Sequence, residues 1–317
     1  IQKLKSAKTV AVGGHMRPDG DCIGSELAVA YTLKHLGKKV TVLNQDEMPE
    51  KLAFLDPKKI LRSPKKTKYY DCVVVTDCAT YERMGTVCEV IGKRKTLINI
   101  DHHGSNSRYG DINWIDSNSA SSGELIFRLI KQANWTITPD IADCLFTAIS
   151  TDTGSFQYAT TRPSTYHTAA ELVTKGANLA RICEEVYQSY PLSRVKLQKH
   201  LYNSFKLIAN HKIAYFWIRQ TDYDKAGAMP DESEGLIDHI RDIQGVKVAC
   251  LFEEIEPEIT RISLRSKLPE LDVSTIAVSF GGGGHQSAAG ARIPGKQQTI
   301  QRKVLSSVKK ALAKAQP

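Results

Sequence analysis

The chain has 317 residues, of which 41% are hydrophobic and 24% charged, so it holds enough apolar material for ordinary cores and a length that fits two domains. No apolar run approaches the ~18 residues needed to cross a bilayer, which excludes a helical membrane protein. The net charge of +9 favours an anionic partner such as nucleotide, nucleic acid or a membrane surface, although the same excess also serves solubility.

The first half alternates short apolar runs with helix-like runs. Residues 10–13 form an apolar run ending at Gly13-Gly14, residues 24–36 are helix-like and stop at Gly37, and residues 39–43 are β-rich. Residues 71–76, with Val73, Val74 and Val75, and residues 96–100 are apolar on both faces. Runs of that kind suit central strands of a parallel sheet covered by helices on each side. The predicted fold is therefore α/β, a doubly wound, mostly parallel sheet, with working groups expected at the carboxyl ends of the strands.

From Ser119 to about Tyr190 the pattern turns helical, beginning with "SASSGELIFRLIKQ", whose serines can cap. Pro191 opens a long basic helix candidate, taken as the linker. Beyond it "KIAYFWIR", "VKVACLFEEIE" and "ITRISLRSK" read as strands, with helix-like "EGLIDHIRDIQ" between the first two. The predicted domains are 1–188, a helical linker 189–210, and a smaller mixed-sheet α/β domain 211–317. The closing segment from Gln297 places Ile300, Val304, Val308 and Leu312 at four-residue steps, an amphipathic helix. Six basic and no acidic residues lie between Lys296 and Pro317, which reads as a solvated helix face in preference to a phosphate contact. The seven cysteines are scattered and form no CxxC pair, the pattern of reduced thiols in a cytoplasmic protein. No signal-peptide pattern follows Ile1, a start without Met that fits trimming of a few residues.

Five stretches carry chemistry. "GHMRPDGDCIGS" offers His15, Asp19 and Asp21 just after the first strand. "VVVTDC" ends a buried strand at Asp77. "NIDHHGSN" presents Asp101, His102 and His103 at the end of another. "STDTGSF" places Asp152 after a helix candidate ending near Ser150. "FGGGGHQSAAG" is the one glycine cluster. Taken singly, each has a plainer explanation: an Asp after a strand is usually a cap or turn residue, and a lone His is usually hydrogen-bonded structure. Jointly, three strand ends and one helix end all present Asp or His. Neighbouring parallel strands lie ~4.8 Å apart, so these groups converge. Clustered carboxylates repel, and a pair of divalent cations is the simple way to hold them ionised. Mixed carboxylate and imidazole ligands suit Mn²⁺, Fe²⁺, Co²⁺ or Zn²⁺, with Mn²⁺ preferred at an open site.

"DHH" after an apolar strand, together with "HMRPDGDCIGS", "VTDC", "TDTG" and "GGGGHQSAAG" in this order, resembles the DHH phosphoesterase superfamily with its DHH-associated C-terminal domain. The resemblance covers nearly the whole chain and is strongest to the two-domain nanoRNA phosphodiesterases that also dephosphorylate 3′-phosphoadenosine-5′-phosphate (pAp). It implies that His15 and Asp19 hold one metal, that Asp21, His102 and Asp152 hold a second, and that Asp77 bridges both. His103 would face the substrate phosphate and Asp101 would orient its neighbours. In the second domain it implies that Gly282, Gly283, Gly284, His285 and Arg265 bind the substrate end away from the scissile bond.

The expected reaction is two-metal hydrolysis, in which a water is activated for in-line attack on phosphorus. The expected substrates are short oligonucleotides, cut to 5′-mononucleotides, and nucleotide bisphosphates such as pAp. Linear or cyclic dinucleotides such as c-di-AMP are the near alternative. Long nucleic acid is not expected, because the chain lacks an interleaved aromatic and basic run. A nucleotide sensor without turnover is the competing class, and the complete Asp and His set argues against it. A homodimer is the candidate assembly.

Overall fold

The computed structural model describes residues 1–315; Gln316 and Pro317, the end of the expected second domain, lie outside the described residues. The chain divides into two compact units, Ile1–Ser189 and Tyr190–Pro317.

The first unit contains, in order, α1 (Gln2–Ser6), β1 (Thr9–Gly13), α2 (Gly20–His35), β2 (Lys39–Leu43), β3 (Leu61–Arg62), β4 (Cys72–Thr76), α3 (Val87–Val90), β5 (Leu97–Asp101), β6 (Ile112–Ile115), α4 (Ser122–Gln132), α5 (Pro139–Asp152), α6 (Pro163–Thr174) and α7 (Leu179–Tyr187). Its six strands run β3-β2-β1-β4-β5-β6, and every pairing is parallel. Side chains alternate between faces with the two-residue strand period. Val10, Val12, Cys72, Val74, Ile98 and Ile100 join the core beneath α2, α4 and α5, whereas Ala11, Val73, Val75 and Leu97 face a smaller core with Val87 and Val90 of α3. That division explains why β4 and β5 are apolar throughout. The helix expected from residue 24 begins four residues earlier, because the Asp19 carboxylate accepts from Cys22 N–H at 3.0 Å and caps it. Fourteen of the sixteen α2 residues are buried. At Gly24 an added Cβ would sit 2.4 Å from the Cys144 carbonyl, so the missing side chain permits the close approach of α2 to α5.

The second unit contains α8 (Leu192–Ser204), β7 (Lys206–Ile208), β8 (Ile213–Ile218), α9 (Gln220–Ala226), α10 (Leu236–Arg241), β9 (Val248–Glu256), β10 (Ile259–Ser266), α11 (Val273–Val278), β11 (Gly283–His285), β12 (Ala288–Pro294) and α12 (Gln297–Ala315). Its sheet runs β11-β12-β10-β9-β8-β7 and is mixed: β8 and β9 are parallel and the other pairs antiparallel. Phe216, Ile218 and Leu251 pack with Leu197 and Leu201 of α8 and with α9 and α10. Tyr215, Cys250, Phe252 and Leu264 pack on the other face with α11 and α12. The helix expected to link the domains is α8, and its two buried leucines belong to this unit's core. The fold class is the one the sequence predicts. Among the described residues no helix is long and apolar enough to cross a membrane.

Candidate metal centre

In the first sheet the chain leaves β1 toward β2 on one side, while β4 adds on the other. The crevice beyond the carboxyl ends of β1 and β4 is therefore the topological switch point, where open α/β sheets hold ligands. Register brings the ends level: Gly13 lies beside Val75, and Thr76 beside Ile100. The next residues of the three central strands are then Gly14-His15, Asp77 and, past Asp101, His102-His103.

Asp77 stands at the centre. Its backbone adopts φ +53°, in the left-handed region, and its N–H donates to the Ile100 carbonyl at 3.0 Å. Aspartate is among the residues that tolerate that region, and the turn aims its carboxylate off the strand end. Its two carboxylate oxygens face different neighbours. Oδ2 lies 3.3 Å from His15 Nε2, which is itself 3.8 Å from Asp19. Oδ1 lies 3.5 Å from His102 Nε2, which is 3.8 Å from Asp21 and 3.3 Å from Asp152. The structure thus brings His15, Asp19, Asp21, Asp77, His102 and Asp152 together as two subsets sharing Asp77.

The imidazoles are oriented from behind. His15 Nδ1 lies 2.8 Å from the Met16 carbonyl and His102 Nδ1 3.4 Å from the Ser119 carbonyl. A carbonyl only accepts, so Nδ1 carries a proton and Nε2 is the ring atom turned toward the carboxylates. Asp101 is fully buried; it accepts from the N–H groups of His102 and His103, from His103 Nδ1 at 2.7 Å and from Asn106 Nδ2 at 2.6 Å.

The electrostatics are unbalanced. Burial, with the charges of Asp77 and Asp152, pushes the Asp21 carboxyl well above its usual range. Burial, Asp77 and Asp19 do the same to Asp152. Burial also works against ionised Asp77, but the hydrogen bond from His15 and the charges of His103, His15 and His102 hold it well below. Burial disfavours a charged His15, yet Cys22, Asp19 and Asp77 outweigh it and raise the imidazole. Asp152 closes α5, whose C-terminal dipole repels an anion. Without added cations, protons must supply the missing positive charge. Divalent ions fit this donor set: two imidazole Nε2 atoms turned inward, which can release their protons to a metal, with four carboxylates that cannot all ionise alone.

Sequence reasoning missed the support from the serine stretch. It was expected only to cap α4, and Ser121 does accept from Glu124 N–H. The same helix start also grips the site: Ser122 N–H and Gly123 N–H donate to the two Asp21 oxygens at 2.7 and 2.8 Å, and Ser122 Oγ donates to Asp77 at 3.0 Å. Glu26 was missed as well. It is fully buried, accepts from Cys22 Sγ and Asn44 Nδ2, and burial raises its carboxyl to about 8. Both donors also approach the His15 carbonyl.

The residues expected to bind substrate lie in the second unit. The glycine run forms a hairpin, with Gly283 opposite Gly290 and His285 opposite Ala288 at the sheet edge. An added Cβ at Gly282 would sit 2.0 Å from the Gly290 carbonyl, and at Gly284 2.5 Å from the Ala288 carbonyl, so packing within the hairpin already requires glycine there. Gly283 faces open space. Arg265, near the end of β10, lies 3.6 Å from Asp238 of α10.

Residues 9–149 match the N-terminal domain of the DHH family, and residues 210–314 match the DHHA1 domain. The chain is 33% identical to the bifunctional oligoribonuclease and PAP phosphatase NrnA of Thermus thermophilus, covering 96% of this chain and 91% of that one. It is 27% identical to the Bacillus subtilis protein of the same name, over 92% of each. A crystal structure of an exopolyphosphatase-related protein from Bacteroides fragilis superposes with a TM-score of 0.86 at 25% identity, covering 99% of this chain and 94% of that one. With both domains matched in order and a relative similar along nearly its full length, the chain belongs to the DHH family of phosphoesterases with a DHHA1 domain, and is a hydrolase of that family.

Proposed function

We propose that the protein hydrolyses short oligonucleotides to 5′-mononucleotides and removes a phosphate from pAp, using two divalent ions, Mn²⁺ by preference. The observation that carries this reading is the division of Asp77, with one oxygen toward His15 and the other toward His102. His15 and Asp19 would hold one ion, Asp21, His102 and Asp152 the other, and Asp77 both. Bound there, the ions would polarise phosphoryl oxygens and lower the pKa of a water toward ~7. The mixed carboxylate and imidazole donors favour Mn²⁺ among the divalent ions.

The chain's own groups then have defined tasks. Asp101 fixes the His103 ring through Nδ1, so that Nε2 meets a phosphoryl oxygen as hydrogen-bond donor or cation. Ser122 and Gly123 fix Asp21, which keeps the carboxylates from rearranging. In the second unit, the Arg265 guanidinium, the open backbone at Gly283 and the His285 imidazole would receive the far phosphate or base, with Gly282 and Gly284 shaping the hairpin. The relatives named as oligoribonuclease and PAP phosphatase support this substrate class. The protein is expected to act in the cytoplasm.

The test is a parallel assay with Mn²⁺, offering a dinucleotide, pAp, cyclic di-AMP and pyrophosphate. Turnover of the dinucleotide and pAp is expected to lead. Dominant pyrophosphate cleavage would overturn the nucleotide assignment, and binding without turnover would make the protein a sensor.

A further inference from the structure

A depression of about 480 Å³ opens on the α11–α12 face of the second unit, lined by Phe280, Arg302, Lys303, Ser306, Ser307 and Lys310. Arg302, Ser306 and Lys310 follow one another at four-residue steps, and Lys303 and Ser307 form a parallel pair. Cations and hydroxyls therefore share one face of α12. Val304, Leu305 and Val308 occupy the opposite face and are buried in the core. Arg302, Lys303, Ser306 and Lys310 are exposed, and Phe280 is half-buried. Trp217 Nε1 donates to Gln301 at 2.5 Å, tying the start of this face to the sheet.

A solvated helix face, the reading from sequence, accounts for basic residues on a convex surface. Here the basic residues border a shallow, open depression, no carboxylate is among its lining residues, and an aromatic ring from outside the helix is. We propose that this depression is a second binding site, for a phosphorylated nucleoside. Arg302, Lys303 and Lys310, with the two serine hydroxyls, receive the phosphate, and Phe280 offers a face on which the base stacks. Arg265 pairs with α10 on the other side of the sheet, so the depression does not include that guanidinium, and its binding does not depend on the metal reading. A free mononucleotide and the distal end of an oligonucleotide present the same chemistry.

The test is photo-crosslinking of 8-azido-AMP to the full chain in the presence of a chelator, followed by peptide mapping. Label is expected on the peptides carrying Phe280 and α12. Arg302→Glu with Lys310→Glu should lower that label about tenfold, the size of one strong charge-assisted contact, while dinucleotide hydrolysis with Mn²⁺ stays within about twofold. Phe280→Leu keeps the packing but removes the ring, and should lower the label at least about fivefold. Label elsewhere only, or label indifferent to these changes, overturns the site. So does an equal loss from Lys65→Glu with Lys66→Glu in the first unit, which would reveal bulk charge alone. Displacement by inorganic phosphate as effective as by AMP overturns the nucleoside assignment. Stronger displacement by a 5′-phosphorylated pentanucleotide than by AMP assigns the site to an oligonucleotide end, and the reverse order to a free nucleotide.

Discussion

Glu253 in the second unit and Asp77 in the first are both buried carboxylates, at 1% and 2% exposure, but their surroundings differ. Arg261 grips Glu253 through Nε at 2.7 Å and Nη2 at 2.6 Å, and the hydroxyls of Tyr223 and Ser233 each donate at 2.7 Å. That carboxylate is fully matched by its own chain. Asp77 shares its space with Asp19, Asp21 and Asp152, and its partners are imidazoles and one serine hydroxyl. A closed network holds a fold, whereas an acid-rich cluster with imidazoles turned inward has capacity left for cations from outside.

The contrast can be broken most sharply at Asp77. Asp77→Ala should reduce hydrolysis at least about a thousandfold, because one residue serves both proposed ions. Elemental analysis should show both ions lost; near wild-type turnover by the folded variant would contradict the shared role. In the second unit, Arg261→Ala leaves Glu253 buried without its cation, held only by the two hydroxyls. We expect a loss of about 3–5 kcal/mol in stability, read by denaturant unfolding, since breaking a buried pair costs far more than the pair contributes.

Glu26 shows a third solution, neutralisation by a proton. Its carboxyl is raised from 4.5 to about 8 by burial. The folded state therefore holds a proton that the unfolded chain has released, and stability falls as pH rises through that window. Glu26→Gln should make this slope shallower in the metal-free protein, leaving the part that Asp21, Asp152 and His15 contribute. The gain at pH 8 should be a few kcal/mol, at about 1.4 kcal/mol per pKa unit; an unchanged slope would mean that Glu26 is ionised in the fold. The smallest expected effect on stability is at Asp152, the carboxylate at the α5 C-terminus. Asp152→Asn should abolish activity yet stabilise the chelated protein by about 1 kcal/mol, a trade of function against stability. A lower melting temperature would show that Asp152 is already balanced without metal.

These contrasts also explain which parts were legible in the sequence. The parallel sheet could be read because β4 and β5 are buried on both faces and carry no polar alternation. The Asp and His groups could be read as a cluster because His15, Asp77, His102 and His103 follow the aligned ends of β1, β4 and β5, while Asp19 and Asp21 open α2 and Asp152 closes α5. The grip of Ser122 and Gly123 on Asp21 could not, since it joins residues about a hundred positions apart. The available signal was a serine-rich stretch that offered more capping groups than one helix start needs. The Glu253 network is equally non-local, and Glu253 looks like any acid at the end of an apolar strand. The glycine run was read for its backbone openness alone. Its pairing with Gly290 and Ala288 depended on a hairpin register that four glycines, having no side chains, do not specify.

The burial of α2 on nearly all sides has a consequence for motion. Asp19 and Asp21 sit at its first turn, and that turn is continuous with fourteen buried residues. Fraying there is opposed by the entire core of the first unit. Amide hydrogens of this turn should exchange with solvent only when the whole unit opens, so the crevice keeps its shape until the domain melts.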